Sequence, residues 1–162
     1  MSARFSQSHG IMPLTIDGDW NAGFTSDSVD MSLYNHCTII MTSDTSVAGG
    51  GIVTLYGGAT DAATTAAITF TYRYAGGNVA AASSDVYGAP ATSAALTTVG
   101  ANLDLRTFLM EVDTEDMNVL GVQYRYLTVV VDATGTGGTA SLVAVLSEPR
   151  YEKDIMPTAN PA

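Results

Sequence analysis

The sequence holds two histidines, His9 and His36, and one cysteine, Cys37, the residue types of a Cys-His nucleophile pair. His36 directly precedes Cys37 in a run, CTIIMT at 37–42, that reads as a strand. Successive strand residues point to opposite faces, so the two cannot pair as base and nucleophile. Cys37 is expected to be a small buried hydrophobe. A single cysteine excludes an internal disulfide and any multi-cysteine zinc or redox motif. No Gly-x-Ser-x-Gly elbow, His-Glu-x-x-His pair or phosphate-cradling glycine loop with its lysine occurs.

Carboxylates are more plentiful. Asp17-Gly18-Asp19 and Glu111-Val112-Asp113-Thr114-Glu115-Asp116 offer oxygen ligands for calcium, which takes about six to eight of them. Neither stretch has EF-hand spacing, and both are expected to be solvated turn or cap carboxylates. Glu111 facing another acid across a cleft is the one route to a glycosidase, but spacing along a chain does not set that separation. Trp20 and the tyrosines Tyr34, Tyr56, Tyr72, Tyr74, Tyr87, Tyr124, Tyr126 and Tyr151 supply flat faces able to stack on sugars. Their expected use is core and interface packing, because Tyr72, Tyr74, Tyr124 and Tyr126 alternate along strands. The residues thus point to no catalytic group, metal or cofactor.

Charge narrows the partners. Six Lys+Arg against 16 Asp+Glu give −10, and Lys153 is the only lysine. Neutralising phosphates needs clustered cations, so a nucleic-acid partner is not expected. At the ends, residues 1–10 and 148–162, Arg4, Arg150 and Lys153 balance Glu148, Glu152 and Asp154. The body, 11–147, holds only Arg73, Arg106 and Arg125 and carries the whole deficit. Hydrophobic residues make up 46% and charged ones 14%, which is the composition of a folded domain, and 162 residues suit a single one. No stretch nears the roughly 20 apolar residues of a membrane span. Residues 1–10 lack the apolar run of a secretory leader, so synthesis in the cytoplasm is expected.

Strand patterns dominate the body. Ile68, Phe70, Tyr72 and Tyr74 alternate with Thr69, Thr71 and Arg73; 122–131 (VQYRYLTVVV) reads as another strand, and 142–146 (LVAVL), apolar throughout, as one covered on both faces. Between these, DATGTGGT at 132–139 suggests a hairpin connection. Further strands are expected at 11–16, with Pro13 marking an edge, and at 29–34, 37–42 and 52–56. Short ones are expected near 85–87 and 95–99, with a short helix in the Ala-rich 75–102 as the alternative, and Gly49-Gly50-Gly51 sits in the connector 43–51. Residues 105–112 read as a strand and 115–119 as one helical turn entered through acids; a single helix over 104–117 is the alternative.

Eight to ten short strands with glycine-rich turns predict an all-β, antiparallel, jelly-roll-like sandwich over 11–147, with arms at 1–10 and 148–162. Few lysines are available to guard sheet edges, which raises coverage of those edges by partners. The polar arms, with Pro149, Pro157 and Pro161 in the second, read either as a pair of frayed tails or as arms docked on a neighbouring subunit.

Several stretches carry a family resemblance: Tyr34-Asn35-His36 leading into CTIIM, FLMEVDTEDM at 108–117, YRYLTVVV at 124–131 and LVAVLSEPRY at 142–151. Over roughly 30–151 the chain resembles the capsid cement, or head-decoration, proteins of tailed bacteriophages. The resemblance implies a structural, non-enzymatic virion protein on the head exterior. It would bind the major capsid protein as a dimer or trimer, with no membrane or nucleic-acid partner and no cofactor. Partner-binding residues are then expected in the arms: Arg4, Phe5, His9, Pro149, Arg150, Tyr151, Ile155 and Met156. Arg150, a planar multi-donor, suits carboxylates on a partner. A neck or tail component of the virion, or a carbohydrate-binding module using Trp20 and the tyrosines, are the alternatives.

Overall fold

Alternation of apolar and polar residues builds the central sheet. In β3 (Tyr34–Ser43), Cys37, Ile39 and Met41 are buried between more open Thr38, Ile40 and Thr42. β9 (Thr107–Asp113) buries Phe108, Met110 and Val112, and β13 (Thr139–Pro149) buries Ala140, Leu142, Ala144 and Leu146. This computed structural model describes residues 5, 9–44, 51–77, 82, 85–98, 104–132 and 137–150. The remaining strands are β1 (Gly10–Asp19), β2 (Phe24–Asp30), β4 (Ile52–Gly58), β5 (Ala66–Ile68), β6 (Phe70–Tyr74), β7 (Ala91–Ser93), β8 (Leu96–Thr97), β10 (Asn118–Val119), β11 (Val122–Gln123) and β12 (Tyr126–Val131).

One sheet runs β1-β13-β3-β9-β6-β7 and the other β2-β12-β4-β5, with β8 also on β4. Their inner faces bury one apolar core, with Val29, Leu55, Leu127 and Val129 opposing the rows above. The antiparallel pairs are nested: β1 with β13, β2 with β12, β3 with β9, β4 with β5. A long ribbon whose successive rungs fall in alternate sheets is a jelly roll, so the chain is an all-β antiparallel sandwich of that path.

Nesting explains where the expected elements differ. Ile68 and Phe70, read as one strand with Tyr74, belong to different sheets, and the chain crosses at Thr69. Both side chains are buried because the core lies between the sheets, so the period of two survives the crossing. The expected hairpin at 132–139 is instead a crossover, since β12 pairs with β2 and β4 while β13 pairs with β1 and β3. Residues 122–131 divide into β11 and β12, and 31–33 form a 3-10 turn rather than a strand end. Near 85–87 a single bridge, Ala75 to Tyr87, replaces a strand. The strand-then-turn reading of 105–119 holds: β9 is followed by a 3-10 turn, Thr114–Met117, and the single helix is excluded. Most of the 43–51 connector lies outside the described residues.

The edges are blunted by shape. β1 contains Pro13 and loses register between Pro13 and Thr15 and again before Gly18. β2 slips register against β12, and the opposite edges, β5 and β7, have three residues each. Bulges, proline and short edges protect a sheet without lysine, so lysine scarcity does not require partners on the edges. The ladder also runs slightly past the expected body, from Gly10 to Pro149.

Candidate functional site

Antiparallel pairing places the start of β1 and the end of β13 at the same end of the sandwich. Gly10 opposes Leu146, Pro149 opposes Tyr34, and His36 opposes Asp113. On the other sheet Tyr126 opposes Asp30 and Gly58 there. The connectors 31–33, 59–65 and 114–125 close this end, plugged from inside by Met31 and Met117, both buried. It brings together most of the sequence-expected contact residues that are described. Arg150 is exposed and its backbone N–H donates to the Leu33 carbonyl at 2.9 Å, while Pro149 ends β13. Just before β1, His9 stacks on the exposed Phe5 with ring centres 4.1 Å apart. Arg4, Tyr151, Ile155 and Met156 lie outside the described residues.

Sequence reading missed the residues that surround Arg150. A cleft of about 210 Å³ is lined by Arg150, Arg125, Met31, Ser32, Thr114, Gln123 and Tyr124. Arg125 grips Asp30 through two parallel bonds, Nε to Oδ1 at 2.9 Å and Nη2 to Oδ2 at 2.5 Å, and lies over the Tyr126 ring. Asp30 also accepts from Ser32 N at 2.9 Å, which fixes the 3-10 turn. The Arg125 hydrogen bonds, opposed by partial burial, hold the Asp30 carboxyl down at about 2. The same pair raises the Arg125 guanidinium. Stabilisation from Asp30 is therefore complete above its ordinary 3.8 and fades as pH falls through about 2. Because the pair is well exposed, water screening keeps its contribution small. Asp30→Asn should lose less stability than the parent between these two pH values in acid-titrated urea melts. Parallel acid curves would refute that assignment.

A second, acidic cleft shares Thr114 with the first and is lined by Asn35, Asp113, Glu115 and Glu148. Asp113 here accepts from the His36 ring at 2.6 Å, and its backbone N–H donates to Asp116 Oδ2 at 2.9 Å. Asp19 accepts from Asn21 N at 2.8 Å. These are the expected turn and cap carboxylates. Among the described residues no three His, Cys, Asp or Glu side chains group as metal ligands. Glu111 sits on β9 with Thr38 and Thr71 as its ladder neighbours.

His36 faces outward to Asp113 and Thr38 while Cys37 is fully buried, so the two separate as strand geometry requires. Burial pushes the Cys37 thiol up to about 12. A thiol reagent at about pH 8 should label it only through unfolding, at a rate that rises with urea as the unfolded fraction does. Fast labelling in native buffer would show the side chain open. Trp20 is 0% exposed, and Tyr34 is buried too. The carbohydrate-module alternative therefore loses its best stacking surface.

Apolar side chains do emerge at the arm end. Ile11 and Leu33 border a groove with Gly10, Met12, Asp30, Tyr34 and Leu146. Leu120, 99% exposed, tips the β10–β11 hairpin beside exposed Val122. Leu120 and Gly121 have φ of 52° and 82°, a turn of two left-handed residues that normally favours Asn-Gly. No family model matches this chain, and no curated protein matches it. Among solved structures it is similar to the SPBc2 prophage-derived protein YomS, with a TM-score of 0.49 and 6% sequence identity over 85% of this chain and 92% of that one.

Proposed function

We propose that this chain is a non-enzymatic virion protein, a capsid cement or decoration protein. It binds the head exterior through the arm end and bridges major capsid subunits. The observation that carries this reading is convergence: the start of β1 and the end of β13 lie at the same end of the jelly-roll body. They do so beside the exposed Arg150, an arginine cleft, and the exposed Leu33, Leu120 and Val122. The family resemblance over 30–151 adds to it. A body carrying −10 suits the outside of a shell better than a lining against packaged genome. Repeated lattice sites, and self-association as a dimer or trimer, turn modest contacts into durable attachment.

The test is to mix the protein with empty shells of the source particle's major capsid protein, pellet them, and image the particles by cryo-EM. Saturable binding at repeating head positions is expected. Density only at the neck or tail would move the protein to the alternative virion role, and no binding would remove both.

A further inference from the structure

The geometry points to the Arg125–Arg150 cleft as a receptor for one isolated carboxylate on an apolar stem, supplied by a protein segment whose neighbouring residues are neutral or basic. This rests on the arm end being the docking face, and it names what that face recognises. Cations are scarce in this chain: five arginines and one lysine against 16 acids, yet two arginines line a single cleft. Their states differ. The Arg125 fork is held by Asp30 and lies over Tyr126, so its plane is fixed and its charge already matched. Arg150 is fixed only at its backbone, and among the described residues its guanidinium has no hydrogen-bonded partner. Asp30, Arg125 and Arg150 together therefore leave one positive charge, which one carboxylate neutralises. A guanidinium fork matches a planar carboxylate with two parallel bonds.

The walls set the rest of the specificity. The half-buried Tyr124 offers apolar surface to a methylene stem, over a floor closed by the buried Met31 and beside Ser32 and Thr114. The Gln123 amide is held in place by donating to the Thr114 carbonyl at 3.0 Å. Across Thr114, the acidic cleft of Asp113, Glu115 and Glu148 repels a second carboxylate and attracts a cation. An acidic run or a phosphate backbone is thereby disfavoured, and a mixed Glu-Lys segment is favoured.

The experiment is an NMR titration of the full chain with three capped peptides: Ala-Leu-Glu-Lys-Ala, the same with Gln for Glu, and Ala-Glu-Glu-Glu-Ala. The first should shift Arg125, Arg150 and Gln123 resonances and bind about tenfold more tightly than the Gln form, as loss of a charge-assisted pair predicts. It should also outbind the triple-Glu peptide. Arg150→Ala should weaken it about tenfold, and Arg150→Lys less, because the charge stays and the fork goes. Equal binding of the Gln peptide, tighter binding of the triple-Glu peptide, no shifts at the cleft, or an unchanged affinity in Arg150→Ala would overturn the inference. Shell binding that survives any of those results would leave the docking role standing and reject only the carboxylate.

Discussion

Replacing Trp20 with alanine should cost about 3–5 kcal/mol, the loss usual for a large buried aromatic. The ring is 0% exposed at the turn between β1 and β2, and meets Phe24 edge-on with centroids 6.1 Å apart. Its backbone N–H donates to the Gly138 carbonyl, and the ring fills the core below the corner where the β1–β2 and β12–β13 connectors meet. Little room exists for repacking. Even a methyl group on Gly18 would sit 2.8 Å from the Phe24 ring. Small domains have only about 5–15 kcal/mol in total, so the variant should be partly unfolded in mild urea. Urea melts should show a lower midpoint at unchanged slope. A loss below about 1 kcal/mol would mean an exposed ring, and would reopen sugar stacking as a use for it.

Legibility in the sequence followed the physics of alternation. A period of two marks a strand with one buried face directly, as at Ile68, Phe70, Tyr72 and Tyr74. LVAVL at 142–146, apolar throughout, reads as a strand covered on both faces, yet β13 buries only Leu142, Ala144 and Leu146 there. The all-β sandwich followed from counting such stretches. What alternation does not encode is which sheet a strand joins. Ile68 and Phe70 keep the same phase on either side of a crossing, and the glycine-rich 132–139 connector looks alike whether it closes a hairpin or changes sheet. The β10–β11 hairpin was hidden for a different reason: its tip is Leu120-Gly121 where Asn-Gly would have been the readable signal.

The candidate site was only half legible for a related reason. Arg150 was visible as a rare cation near one end. Arg125 was read as one more residue on a strand face, yet residues 124–125 leave the ladder between β11 and β12 and turn the guanidinium towards Asp30. That pair joins positions 95 residues apart. Only register, with Tyr126 opposite Asp30, brings them together, and register is a property of the folded sheet.

Deleting residues 151–162 should separate attachment from folding. Every described rung of β13 lies before the cut, including Pro149 opposite Tyr34, and the Arg150 N–H still reaches Leu33. The truncated chain should therefore match the parent's urea midpoint and circular dichroism. Binding to shells should fall at least tenfold per site, about 1.4 kcal/mol, because the segment carries Tyr151, Ile155 and Met156 among the expected contacts. Multivalency would magnify that loss into stripped particles. A cut before Glu148 is a different experiment, since it also removes the last rung against β3 and the exposed Arg150, and should lower both stability and binding. Comparing the two cuts assigns the contact. Loss with the shorter deletion places it in 151–162, and loss with only the longer one places it in the Arg125–Arg150 cleft. Full occupancy after both would mean that the arm end is not the docking face, and that the shell is gripped by the sandwich itself.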